Sequence, residues 1–151
     1  MATPLYLTSP QLTAAVMKLD GEELPARTLA YWAATNLLVP GVDWQHKRRA
    51  TRLYLLRDLA KARLIVQLRA KGISMPRVRV ILAELEARED LRELLQADSK
   101  AWLIVDGYRV TVQRHGEPAR DLPSHQLRLP LIGVVRRNVE VAREVRRRAA
   151  A

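Results

Sequence analysis

The chain has 151 residues, with 26 lysines and arginines against 16 aspartates and glutamates, and a formal net charge of +10. This length permits one domain, with or without a small addition, and a hydrophobic content of 48% is enough to build a buried core. Cysteine is absent, which excludes disulfides, thiolate metal sites and cysteine nucleophiles. No apolar run approaches the roughly 20 residues of a membrane helix, and the first residues lack a signal-peptide pattern. We therefore expect a soluble cytoplasmic protein with an anionic partner.

The positive charge is concentrated in one part of the chain. Residues 44–82 carry eleven basic side chains and one acidic side chain, so this stretch alone has the net charge of the whole protein. Residues 83–98 are acidic, and residues 99–151 are again basic. A local excess of this kind is typical of a surface that binds phosphate groups, although a solvated basic face without a partner would give the same pattern.

The first two predicted elements are short helices joined by a tight turn. A cap and a proline at residues 8–10 open the first helix, and Gly21 ends it. Pro25 opens the second helix, Trp32 lies on its apolar face, and Asn36 near its end suits a left-handed conformation. Because only a few residues join them, the two helices must pack closely, which favours a helix-turn-helix.

A basic hairpin is predicted directly after the helix pair. Residues 42–51 lack helical periodicity and contain three consecutive cations, and residues 52–55 can form the return strand. A hairpin in this position is the wing of a winged helix-turn-helix. The apolar spacing then predicts a long helix from Leu56 that Gly72 ends, and a further helix that starts near Ser74.

The C-terminal part changes in character. Asp106-Gly107 stands between two segments rich in β-branched residues, which predicts a hairpin with these two residues as its turn. A break at Leu129-Pro130 precedes valines at helical spacing. The fold class is therefore mainly α with small β: a winged helix-turn-helix domain over residues 1–98, then a hairpin-plus-helix domain over residues 99–151. The second domain could hold a small apolar ligand or a protein partner. We expect it to dimerise, because an amphipathic last helix and a short hairpin bury little by themselves.

Four short motifs occur in an order that resembles the MerR family of bacterial transcription regulators. They are Arg27-Thr28-Leu29-Ala30-Tyr31-Trp32 followed by Asn36-Leu37-Leu38, Arg52-Leu53-Tyr54, Asp58-Leu59, and Leu68-Arg69-Ala70-Lys71-Gly72-Ile73-Ser74-Met75. The chain departs from the family pattern at Ala30, where arginine is usual, and at Asn36, where glycine is usual. The C-terminal part is similar to that of an actinobacterial subgroup in which a short β-containing domain replaces the dimerisation coiled coil.

The resemblance implies a function and partners. It implies a homodimer that binds a palindromic operator in double-stranded promoter DNA. RNA polymerase is implied as a further partner, because family members distort the promoter so that polymerase finds its two recognition elements realigned. Many members sense metals or oxidants through cysteines, and the absence of cysteine excludes thiol-based sensing here.

The candidate DNA-binding residues lie on the second helix, in the wing and at the start of the third helix. Arginine can bind guanine through two hydrogen bonds or bind phosphate, and a basic hairpin can follow the backbone or enter a minor groove. We expect Trp32 and Tyr54 to pack internally, and Arg63 to extend the phosphate contacts. The predicted DNA-binding set is Arg27, Thr28, Tyr31, Lys47, Arg48, Arg49, Arg52, Arg57 and Lys61.

Other functional classes have less support. No nucleophile elbow, phosphate-binding glycine loop or paired-carboxylate pattern is present, so we expect no enzyme activity, no cofactor and no metal site. Two alternatives use the same basic patch: a DNA-binding antitoxin that captures a toxin with its C-terminal part, and a nucleoid-associated or RNA-binding protein without sequence preference.

Overall fold

A computed structural model describes residues 5–46, 49–87, 101–106, 109–114, 127–130 and 134–150. Its helices are α1 (Ser9–Asp20), α2 (Ala26–Ala34), α3 (Leu56–Ala70), α4 (Met75–Ala87) and α5 (Val134–Ala150). Its strands are β1 (Leu7–Thr8), β2 (Val42–His46), β3 (Arg49–Tyr54), β4 (Ala101–Asp106), β5 (Arg109–Arg114) and β6 (Leu127–Pro130). The fold is mainly helical with small sheets, as predicted.

The contacts divide the chain into two compact units. The first comprises residues 1–66 and 136–151, and the second comprises residues 67–135. Most of α5 therefore groups with the N-terminal part of the chain, whereas the sequence assigned that helix to a C-terminal domain. The predicted boundary after residue 98 falls among residues outside the described part of the chain and stays a prediction.

Helix α1 begins and ends at the predicted signals. Thr8 is its N-cap and forms a capping box with Gln11, in which each side chain bonds the other residue's backbone amide. Gly21 ends the helix at a φ of +68°, where a side chain would be strained, and its amide donates to the Met17 carbonyl over 2.8 Å. The length of α1 is thus fixed by local chemistry.

The wing is the outer part of a three-stranded antiparallel sheet with the order β1-β3-β2. Strands β2 and β3 pair from Val42 opposite Leu53 to His46 opposite Arg49, which confirms the predicted hairpin. Strand β1, which the sequence analysis did not predict, pairs Leu7 with Tyr54. Because α1 packs against β1, β3 and α2, the helix pair and the base of the wing share one core.

The second unit contains α4 and an antiparallel sheet with the order β5-β4-β6. Helix α4 packs on β5, and β4 lies in the centre with Leu103, Ile104 and Val105 buried. Asp106 pairs with Arg109, so the two residues between the strands are Gly107 and Tyr108, and the predicted Asp106-Gly107 turn was wrong by one position.

The segment around Pro130 also differs from the prediction. Residues 127–130 form β6 on β4, where the sequence analysis placed only a break. Proline cannot donate to a ladder, but it is tolerated on an edge strand, and β6 lies at the edge of this sheet. A four-residue edge strand that ends in proline has too weak a pattern to be found from sequence.

Candidate nucleic-acid interface

Helix α2 presents two polar side chains on its solvent-facing side. Leu29 and Trp32 are buried on the opposite side, as predicted for Trp32. Arg27 and Tyr31 lie one turn apart and are both exposed, and 61% of the Tyr31 surface is accessible. A large aromatic residue at this exposure adds nothing to the core, so its phenol is available to a partner.

The first turn of α2 is open to an anion. Pro25 is the N-cap and has no side chain that could bond the backbone amides, and no acidic residue lies in this turn. The Pro25 carbonyl accepts from the amides of Thr28 and Leu29, at 3.0 and 3.1 Å. The amides that precede Thr28 in the helix point along the helix axis. The positive end of the macrodipole lies there and favours a phosphate.

The chain leaves α2 through a turn that fixes where the wing starts. Asn36 adopts a φ of +58°, the left-handed conformation predicted for it. The amides of Leu37 and Leu38 then both donate to the Trp32 carbonyl, at 2.9 and 3.2 Å, and both leucines are buried. The link between the helix and the wing is therefore rigidly held.

The carboxylate of Asp58 lies beside both ends of the wing. This side chain, 4% exposed, accepts from the Leu55 amide over 2.7 Å, directly after β3, and the Gly41 amide, directly before β2, acts to lower its pKa. Burial raises the pKa of Asp58 above its usual value, against the opposing effects of the Leu55 amide and the Arg57 charge. Asp58 is thus a positioning residue for the hairpin, a role the sequence analysis did not identify.

The wing places its cations in different environments. Lys47 and Arg48 are outside the described residues, and the backbone of Arg49 opens β3. Arg52 is half-buried, and its Nε is buried without a hydrogen-bond partner among the described residues. Tyr54 is fully buried at the base of the wing, as expected.

Three cations on α3 were predicted to face phosphate, and the structure separates them. Arg57 is exposed and Lys61 half-exposed, and they lie one turn apart just after the wing. Arg63 instead lies inside the protein: its Nε and one terminal nitrogen donate to the two Asp20 carboxylate oxygens, each at 3.0 Å. Its other terminal nitrogen donates to Asn138 Oδ1 over 2.7 Å. The expectation that Arg63 binds phosphate was wrong, because its donors are used within the fold.

Sequence reasoning missed this Arg63 cluster because its members are far apart along the chain. Asp20 ends α1, and Asn138 lies near the start of α5. Both side chains are almost fully buried, and both accept hydrogen bonds from Arg63. The only signal was the interruption of an apolar stripe by asparagine on α5. A charged pair joined by two parallel hydrogen bonds stabilises a fixed geometry, so Arg63 connects α1, α3 and α5.

An exposed polar face on the second of two closely packed helices, followed by a basic hairpin, defines a winged helix-turn-helix, a class of DNA-binding domain. Residues 23–85 match the family model described as MerR HTH family regulatory protein. The matched segment contains α2, the wing, α3 and nearly all of α4. No curated protein sequence matches the chain.

The matched family consists of helix-turn-helix regulatory proteins, which fits a DNA-binding domain in this segment. None of the described helices is both long and apolar enough to cross a membrane. Within the same residues, no three histidine, aspartate or glutamate side chains come together as ligands for a metal ion. The surface formed by α2, the wing and the start of α3 is the part of the molecule that fits a nucleic-acid partner.

Proposed function

We propose that this protein regulates transcription by binding a palindromic operator as a homodimer. The observation that carries the proposal is the exposed face of α2, where Arg27 and Tyr31 project beside an uncapped helix start. In helix-turn-helix complexes the second helix enters the major groove and its first residues contact the base edges. Arg27 is the side chain on this face that can bind guanine O6 and N7 together.

The remaining candidate residues would hold the backbone on either side of that groove. The wing residues Lys47, Arg48, Arg49 and Arg52 would follow the phosphates or enter the adjacent minor groove. Thr28 would bond a phosphate near the start of α2, and Arg57 and Lys61 would extend the contacts along α3. Such contacts fix the register of the protein on DNA without reading its sequence.

Dimerisation follows from the small size of the reading surface. One module with a single base-reading arginine gives little specificity, and a two-fold dimer doubles the number of bases contacted. The apolar stripe of α5 is buried within its own chain, as Val141 and Ala142 are fully inaccessible. We therefore infer that the dimer contact uses residues 67–135 instead. RNA polymerase meets this dimer at the promoter.

Selection of bound duplexes from a random pool tests the proposal directly. We expect an inverted repeat whose half-sites are one helical turn apart, about 10 bp, or a multiple of it. Sedimentation of the full chain with that duplex should give two chains per duplex, and changing one half-site should weaken binding far more than changing the flanks. Enrichment of no sequence would contradict the proposal and favour the alternative of a nucleoid-associated protein. That alternative has one observation in its favour, since Arg27 is the only cation on α2.

A further inference from the structure

Helix α5 lies against the helix-turn-helix itself. Near its start, Asn138 meets Asp20 at the end of α1 through the shared Arg63 guanidinium. One turn and a half further along, Glu144 forms an ion pair with Lys18 of α1, which lowers the pKa of Glu144 by a side-chain hydrogen bond. These contacts join the first two thirds of α5 to the second half of α1.

The two helices run in opposite directions. Val145 and Arg148, near the end of α5, line one shallow cavity together with Pro10 and Ala14 from the start of α1. Since Asn138 lies at the opposite end of α1, α5 is antiparallel to α1. The last turn of α5 is therefore beside the first turn of α1.

The outer face of α5 is basic. Asn138, Val141 and Ala142 are buried and recur at helical spacing, so they form the side that packs on the body. Arg143 and Arg147 lie one turn apart on the opposite side, and all the arginines of this side are exposed. We call this surface the α5 arginine face and define it as Arg143 and Arg147, with Arg146 at its edge.

The acidic residues of α5 form their ion pairs with cations outside this face, although the Arg147 charge also lowers the pKa of Glu144. The helix contains six arginines and two glutamates. Glu140 pairs with Arg137 at 3.3 Å, and Glu144 pairs with Lys18 and with Arg148, the latter at 3.0 Å. Among the described residues, no ion pair involves Arg143, Arg146 or Arg147.

Helix stability does not explain this distribution of charge. Arginines in the last turn, here Arg147 and Arg148, interact favourably with the helix dipole, but Arg143 lies before that turn. Arg143 and Arg147 are like charges four residues apart, which repel each other. An anionic partner would remove this penalty.

Duplex DNA is the anion that the position of α5 favours. In helix-turn-helix complexes the first helix crosses the phosphate backbone, and α5 lies along that helix. We propose that the α5 arginine face is a second phosphate-binding surface, which contacts the DNA backbone flanking the operator. This inference rests on the proposed function and adds a contact outside the domain that matches the family.

The test is the salt dependence of binding by Arg143→Gln/Arg147→Gln in the full chain. Glutamine is a good helix former, and both sites are exposed, so the fold should be retained. The control, Lys71→Gln/Arg109→Gln, removes two exposed cations from the second unit and has the same net charge. Affinities are measured on a selected operator with about one helical turn, about 10 bp, of flanking duplex on each side, and on a random duplex of equal length.

Loss of two phosphate contacts should reduce the slope of log K against log salt by about two for the α5 variant, with little change for the control. An unchanged slope, or an equal decrease in both variants, would overturn the inference. An unchanged slope together with lost output in reconstituted transcription would assign the face to a protein partner instead. The proposed function fails separately, if the wild-type chain binds the operator and the random duplex equally well.

Discussion

Helices α2 and α5 belong to the same unit, but they carry very different amounts of charge. Helix α2 has Arg27 as its only charged side chain, whereas α5 has six arginines and two glutamates. Base reading needs a few donors in fixed positions, and phosphate binding needs a number of cations. The comparison teaches that net charge does not locate the reading surface of this protein, because affinity and sequence choice depend on different elements.

The largest expected effect is a loss of unfolding free energy, and it comes from separating α5 from the helix pair. Arg63→Ala removes the guanidinium that joins Asp20 and Asn138, and leaves a carboxylate that is only 8% exposed without this partner. Loss of one member of a buried charged pair should lower the free energy of unfolding by about 2 to 4 kcal/mol. Chemical denaturation of the full chain measures this change.

The matched control for Arg63 is Lys71→Ala, an exposed cation just after the same helix. We expect its effect to be within about 0.5 kcal/mol. If Arg63→Ala lowered the free energy of unfolding as little as this control does, the cluster would not hold α5 against α1. Helices α2 and α5 could then no longer be compared as parts of one unit joined by this cluster.

Arg27→Ala tests whether α2 recognises the base sequence. If Arg27 contacts a guanine, this change should cost about 1 to 3 kcal/mol on the selected operator and relax the preference at one base position. Affinities on the operator and on a set of single-base variants measure both effects. Arg57→Ala is the control, because loss of a phosphate contact weakens binding to every sequence alike. An equal loss on all sequences for Arg27→Ala would make it a phosphate contact as well.

The holding side can also be tested in the wing. Arg48→Ala/Arg49→Ala should weaken binding to operator and random duplexes to the same extent, and reduce the slope of log K against log salt by about two. Affinity titrations at several salt concentrations give this slope. An unchanged slope would remove the wing from the interface and leave α2, α3 and α5 to provide the phosphate contacts.

Sequence reasoning predicted the elements whose signals are local, and missed the contacts that are not. The capping of α1 by Thr8 and the left-handed Asn36 follow from residues within one turn, and both are present. The Arg63 cluster joins residues 43 and 75 positions apart, and no periodicity reports such a pairing. The sequence does not distinguish an exposed arginine from a buried one. The different environments of Arg57 and Arg63 are therefore seen only in the folded structure.

The two regions also differ in one of the polar contacts that hold them. Glu144 of α5 forms an ion pair with Lys18 of α1, whereas the buried carboxylate of Asp58 accepts from the backbone at the end of the wing. Burial raises the pKa of Asp58 in the folded state, so the folded state prefers the protonated acid. The stabilisation from this preference is fully present below the usual aspartate pKa of about 3.9, and is lost as the pH rises through the raised value.

Asp58→Asn therefore gives the smallest expected effect. It is a change in the pH dependence of the unfolding free energy, and its sign is defined. The amide retains an oxygen that can accept from the Leu55 amide, but it cannot titrate. Relative to this variant, the wild-type chain should lose unfolding free energy as the pH rises through that window, and denaturation curves at several pH values measure the difference. All other titrating groups are common to both chains and cancel. Parallel curves would show that the hydrogen bonds to the carboxylate balance the cost of its burial. A wild-type chain that gains stability with rising pH would show that they outweigh it, and that the wing is fastened by a charge as α5 is.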